Sequence, residues 1–207
     1  RKSIAFKLLA VLFSLCIFSV KISAQLVVTP GVSASSLISS LAGQGLTVSN
    51  VVLNCPTNAY GTFSNGNTTN MGITNGILLT TGSAANAIGP NNSGSSGTCN
   101  GTSGSDPQLT AIEPSAIEDL CVLEFDIVPQ CNNLQIRFVF GSEEYPEFVN
   151  ASFNDAFGFF ISGPGPACQP GFYYNTNVAT LPNNTTPVSI DNVNAGNNPA
   201  YYVDNTG

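Results

Sequence analysis

Val122-Leu123-Glu124-Phe125-Asp126-Ile127-Val128, and then Leu134-Gln135-Ile136-Arg137-Phe138-Val139-Phe140, is the stretch whose pattern decides the fold class. In the first run Leu123, Phe125 and Ile127 share one face, while Glu124 and Asp126 share the other. In the second, Leu134, Ile136, Phe138 and Phe140 point to one side together. A period of two is the signature of a half-buried strand. Residues 129–133 supply a turn, so the pair reads as a hairpin. Same-face residues oppose each other only when paired numbers have an odd sum. Ile127 then faces Leu134, Phe125 faces Ile136, and Glu124 lands across from Arg137. An exposed pair of that kind stabilises by under ~1 kcal/mol, so its expected role is structural.

Working outward, residues 48–53, 59–63, 76–81, 156–162, 188–193 and 201–203 are further strand candidates, separated by Asn/Gly-rich clusters. Thr29-Pro30-Gly31 starts a turn. Residues 33–41 place Leu37, Ile38 and Leu41 at helical spacing, with Gly43 as the expected C-cap. Residues 86–106, dominated by Gly, Ser, Asn and Thr, read as a long surface loop containing Cys99. No internal repeat is evident. The expected fold is mainly β: an antiparallel two-layer β-sandwich, jelly-roll-like, with one short N-terminal helix.

The first residues have a different character. Arg1, Lys2 and Lys7 precede an apolar run over residues 8–20, and Lys21-Ile22-Ser23-Ala24 closes it with a small residue. This is the pattern of a signal peptide, residues 1–24, cut between Ala24 and Gln25. The run falls short of the ~20 residues a bilayer span needs. The expected domain is therefore residues 25–207, exported and extracellular.

Without the leader, Arg137 alone faces all 12 acidic residues, a net charge of −11. One base cannot neutralise phosphates, which excludes a nucleic-acid partner. The chain has no His, which excludes Ser-His-Asp and Cys-His catalysis and His-ligated zinc. Cys55, Cys99, Cys121, Cys131 and Cys168 remain, and in an oxidising exterior they are expected to form disulfides; the count is odd, so one is free or has its partner missing or beyond Gly207. Spacing leaves the connectivity open.

The densest chemistry lies in Phe140-Gly141-Ser142-Glu143-Glu144-Tyr145-Pro146-Glu147-Phe148, followed by Phe153-Asn154-Asp155-Ala156-Phe157. Three readings stay open. Paired carboxylates can be the acid and base of a glycosidase, which needs no His. Carboxylate and amide oxygens from Glu143, Glu144, Asn154 and Asp155 can hold Ca²⁺. Or the acids are solvated while Tyr145 and the Phe residues pack. Repulsion between close carboxylates favours the cation over catalysis.

These same blocks, with Gly61-Thr62-Phe63, residues 76–82, residues 187–194 and residues 201–205, resemble the hallmark blocks of the choice-of-anchor L domain. The similarity runs in order from about Leu37 to the end. The resemblance implies location more than activity: prokaryotic surface proteins carrying one of several C-terminal sorting signals. The leader and Asn-rich composition resemble a Bacteroidetes-type protein, whose sorting signal would be a type IX secretion domain. Family members continue past the last block, so truncation at Gly207 and a sorting region beyond it are expected. No catalytic residues carry over. The expected role is a non-catalytic surface module in adhesion, ligand binding or assembly, with an unidentified glycan or protein as partner and no membrane span in the mature chain. The alternative is a carbohydrate-active module, either glycan-binding or a carboxylate-based glycosidase.

Overall fold

A computed structural model describes residues 25–89, 97–102, 104–130, 134–165 and 171–205. The signal-peptide reading, Cys131 and Cys168 fall outside the described residues. The observed class is the expected one, mainly antiparallel β with few helices and no closed barrel. Among the described residues, nine strands form four small sheets.

β1 (Val27–Pro30) opens the fold, built on the β-branched run Val27-Val28-Thr29. The sequence pattern had reserved Thr29 and Pro30 for a turn, but the turn begins two residues later, at Gly31, whose φ is +64°. Pro30 is tolerated because it ends an edge strand. α1 (Ala34–Leu41) follows, with the Ser33 hydroxyl accepting the Ser36 amide proton at 3.2 Å as its N-cap. Leu37 is completely buried. The helix closes at Ala42, whose N–H bonds Ile38 at 2.7 Å, and not at the expected Gly43. β3 (Tyr60–Ser64) lies between β1 and β4 (Gly76–Leu79), and α1 packs against both β3 and β4. Gly61 is required at this junction, because a Cβ there would sit 2.4 Å from the Thr29 carbonyl oxygen.

β2 (Leu46–Asn54) pairs antiparallel with β5 (Val122–Pro129), from Leu46 opposite Pro129 to Asn54 opposite Val122. A bulge between Ser49 and Val52 places Asn50 at φ +50°, and its amide donates to Asp126 Oδ2 at 2.6 Å. The register continues one step past the strands to Cys55 and Cys121, which are disulfide-bonded. Here the hairpin expectation fails. The partner of β5 is β2, Glu124 lies opposite Val52, and residues 134–140 form no strand. Arg137 instead donates from Nη2 to the Gly72 carbonyl at 3.0 Å. Period-two alternation identified the strand β5 and its faces, but it carries no information about which strand lies alongside.

α2 (Pro107–Ile112) starts directly after the stretch read as loop, in residues to which the sequence pattern assigned no element. Asp106 caps it through Oδ1, which accepts the Gln108 and Leu109 amides at 2.8 and 3.1 Å, and Pro107 occupies the first turn. Cys99 is a free, exposed thiol and staples nothing. The strand expected over residues 156–162 is split at Gly158 into β6 (Ala156–Phe157) and β7 (Phe160–Pro164). β7 pairs with β8 (Phe172–Asn177), and β6 pairs with β9 (Val188–Ser189). β9 stops after two residues where a run to Val193 was expected, and residues 199–201 form a 3₁₀ turn in place of the last strand.

Buried apolar side chains fall into two sequence groups: Leu26, Leu37, Ala59, Phe63 and Ala84, then Ala179, Leu181, Val188, Ile190 and Val193. Left-handed backbone positions outside glycine are occupied by Asn50, Asn65, Asn150, Asn175, Asn184, Asn198 and Asp119. These are the side chains that tolerate that conformation best.

The Cys55–Cys121 bond spans 66 residues of chain. A loop of that size removes about 4 kcal/mol of unfolded-state entropy. Reduction, or the paired change Cys55→Ala and Cys121→Ala, is therefore expected to lower Tm by roughly 10 °C. Coincident melting curves with and without reductant would show that the staple contributes nothing.

Candidate functional site

The acidic block forms a turn-rich loop, residues 141–155, between the extended segment before it and β6. Local bonds shape it: the Phe148 amide reaches the Glu144 carbonyl at 3.0 Å, and the Ala151 amide reaches that of Phe148 at 2.9 Å. The Tyr145–Pro146 peptide is cis. Phe148 and Phe153 meet edge to face, with centroids 5.3 Å apart.

What fixes the loop is the segment after β9. The Tyr145 hydroxyl donates to the Val193 carbonyl, and its ring lies 5.1 Å from that of Tyr202. Asp191 Oδ1 accepts the Asn150 amide, while the Asp191 amide donates to Asn154 Oδ1 at 3.1 Å. On the other side, Asn154 Nδ2 donates to Glu113 Oε2, at the C-cap of α2. Asn154 thus joins α2 to the post-β9 segment, and both ends of its carboxamide are engaged.

That segment is itself organised by a buried amide. Asn194 Nδ2 donates to the Ile190 and Asp191 carbonyls at 3.0 and 3.1 Å, and its Oδ1 accepts the Gly196 and Asn197 amides at 2.9 and 2.8 Å. Both donors are used and two amides share the acceptor, which is what a side chain only 4% exposed requires. Sequence reading passed over Asn194 and Asp191 as site residues. Residues 188–193 read as a strand, so the turn that Asn194 organises and its grip on the acidic loop were not expected.

The carboxylates divide into two kinds. Glu113 is satisfied: burial pushes its pKa up, but bonds from the Ser115 hydroxyl and amide and from Asn154 outweigh that and leave it lowered. Glu143 is the opposite case. Its Oε2 is buried with no hydrogen-bond partner, and burial raises its pKa. Glu144 is also raised, first by burial and then by the negative charges of Asp155 and Glu143. Asp155 Oδ2 accepts the Ser142 hydroxyl proton at 2.9 Å, and Ser142 Oγ accepts the Glu144 amide at 3.1 Å. Tyr145 is pushed up to about 12 by burial and by its neighbours Tyr202, Asp191 and Asp155.

Of the four residues singled out from sequence, Glu143, Glu144 and Asp155 come within electrostatic reach of one another, through Glu144. Asn154 turns its carboxamide to Glu113 and Asp191. Among the described residues, no group of three or more His, Cys, Asp or Glu side chains has the geometry to hold a metal ion. A cavity of about 320 Å³ beside the disulfide is lined by Asn54, Cys55, Pro56, Thr102, Gly104 and Leu120, none of them an acid or a base. No helix among the described residues is long and apolar enough to cross a membrane.

A family model described as the Choice-of-anchor L domain matches residues 27–206. No curated protein and no solved structure matches the chain.

Raised and lowered acids respond to pH with opposite signs. The raised acids Glu143 and Glu144 favour the fold when protonated, and that contribution is lost as pH rises through their folded pKa values. The lowered Glu113 contributes above its unfolded value of about 4, and that contribution is lost as pH falls. Glu143→Gln is therefore expected to raise Tm at pH 7 by roughly 1–2 °C, the gain shrinking toward pH 4. A loss of stability at pH 7 would mean that the Glu143 charge is compensated.

Proposed function

This chain belongs to the choice-of-anchor L family, and we propose that it serves as a non-catalytic module of a surface-held protein, working in adhesion, ligand binding or assembly. Surface association rests on the family and on the Cys55–Cys121 disulfide, a bond that persists in oxidising surroundings. The observation that carries the non-catalytic reading is how Glu113, Asp155 and Asp191 are used. Asp155, Asn154 and their partners Ser142, Glu113 and Asp191 spend their hydrogen bonds holding three segments together. Such acids act as ties, whereas a glycosidase needs two carboxyls facing a sugar across an open cleft.

One observation favours a structural Ca²⁺ as an addition to this reading. Glu144 lies within electrostatic reach of both Asp155 and Glu143, and Glu143 carries a buried oxygen without a hydrogen-bond partner; both glutamates have raised pKa values. A hard cation would relieve both conditions. The three acids do not converge on one metal position as they stand, so Glu143, Glu144 and Asp155 would have to close around the ion to become its ligands, with Asn154 committed elsewhere.

Three measurements test the proposal. Proteinase added to intact cells that make the protein is expected to remove it, and protection in the interior fraction would overturn surface placement. The purified chain is expected to show no hydrolysis of polysaccharides at any pH from 4 to 8. Hydrolysis abolished by Glu143→Gln or Glu144→Gln would make the carbohydrate-active alternative correct. In the same samples, Ca²⁺ added after chelation is expected to raise Tm, and an unchanged Tm removes the cation.

A further inference from the structure

The acidic loop leaves one surface unused: the outer face of the β7–β8 hairpin. β8 has β7 as its only partner among the described strands. Phe172 and Tyr174 stand two residues apart on β8 and so project from the same side. They are 54% and 77% exposed, and their rings lie 4.6 Å apart with planes inclined at 39°. Pro164 pairs with Phe172 across the ladder and is also exposed, as is Ser162 further along β7. The half-buried Tyr173, Ile161 and Gly163 occupy the alternate positions. Two rings and a proline ring therefore form a broad apolar surface turned to solvent. Water-exposed aromatic area of this kind is costly without a partner.

Neutral polar groups border it. The Ser162 hydroxyl bonds Asn175 Oδ1 at 2.8 Å and accepts the Asn175 amide at 3.0 Å. That link holds the Asn175 side chain in place beside Tyr174, which brings its own phenol. Charge is the second observation. Residues 156–190 contain no Asp, Glu, Lys or Arg, although the chain holds 12 acids and 5 bases. A surface that binds a charged partner carries complementary charge, and this face has none to offer. Its chemistry is π-face, hydroxyl and carboxamide. That combination matches an uncharged sugar ring, whose C–H face carries slight positive charge toward the ring quadrupole while its hydroxyls meet amides and phenols.

We propose that Phe172 and Tyr174, bordered by Pro164, Ser162 and Asn175, form a binding site for an uncharged polysaccharide. The site rests on the reading of the chain as a surface-held binding module and gives that reading its ligand class. It takes the sugar in extended form along the hairpin, as a face and not a pocket, with no chemistry performed.

Affinity electrophoresis of the full secreted chain tests it, in native gels containing a β-glucan, an α-glucan, a mannan, or the polyanion polygalacturonate. At least one neutral polymer is expected to retard the protein, and the polyanion to leave it unshifted. Tyr174→Ala is expected to weaken retardation about tenfold and Phe172→Ala less, with both variants melting as the parent does. Tyr201→Ala, which removes a 54% exposed ring elsewhere, is the control and is expected to bind normally. Failure of every neutral polymer to retard the chain overturns the proposal, as does retention unchanged in Tyr174→Ala. So does a Tyr174-dependent association with phosphatidylcholine vesicles alone, or a Tyr174-dependent dimer in sedimentation. None of these results bears on surface placement, which the proteinase experiment decides separately.

Discussion

The constraint on which the first half of this molecule depends is the pairing of β2 with β5. The two strands lie far apart in sequence, and every element between them must fit into the loop that their ladder closes. β3, β4, the 3₁₀ turn Ala84–Ile88 and α2 are all confined in this way. Closing so long a loop is entropically unfavourable in advance of any contact it allows. The disulfide sits one position beyond the end of the ladder, where it holds the same register that the backbone bonds define. Asn58, Asn100 and Asp119 then fill the space nearby. Asn100 donates to the Thr81 and Gly82 carbonyls, accepts from Asn58, and gives its own amide to Asp119. A covalent bond sets the distance, and amides set the details.

The second half solves the same problem without a disulfide among its described residues. Its loop of residues 141–155 is held by Asn154, Asp191 and Tyr145, each bonding to backbone or side chain far away in sequence. Such bonds are worth little net when satisfied and cost much when broken. The acid-rich loop is therefore better understood as a clasp whose charge is partly unwelcome, as the raised Glu143 and Glu144 show. Family membership fits that picture, since it speaks to where the protein works and leaves its ligand to be found on other surfaces.

How far the sequence could be read depended on the range of the interaction concerned. β5 was visible because apolar and acidic residues alternate along it, and β2, β3 and β4 because short apolar runs are bounded by Asn/Gly clusters. α1 was visible because Ser33 and the spacing of Leu37, Ile38 and Leu41 are local signals. The Asp106-Pro107 start of α2 was equally local, but it was masked by the Gly/Ser/Thr run before it. Strand partnership was not legible. Residues 134–140 alternate as well as β2 does and lie closer in sequence, yet β5 pairs with β2. The acidic cluster could be located from its density alone. That Asn154 would face Glu113, or that Asn194 would be buried, depended on contacts tens of residues away.

The left-handed positions held by Asn50, Asn65, Asn150, Asn175, Asn184 and Asn198 have a consequence for where such a protein can work. At two of these corners, Asn65 and Asn198, the side-chain amide donates to a backbone carbonyl, and Asn194 fixes a buried corner in the same way. Dissolved salt screens ion pairs over about 10 Å, but an amide bonded to a carbonyl at 3 Å gives it little to act on. With one base against 12 acids in residues 25–207, added salt mainly quiets repulsion there. A fold cornered in this way is expected to lose little stability between fresh and saline surroundings, a useful property for a surface-associated protein.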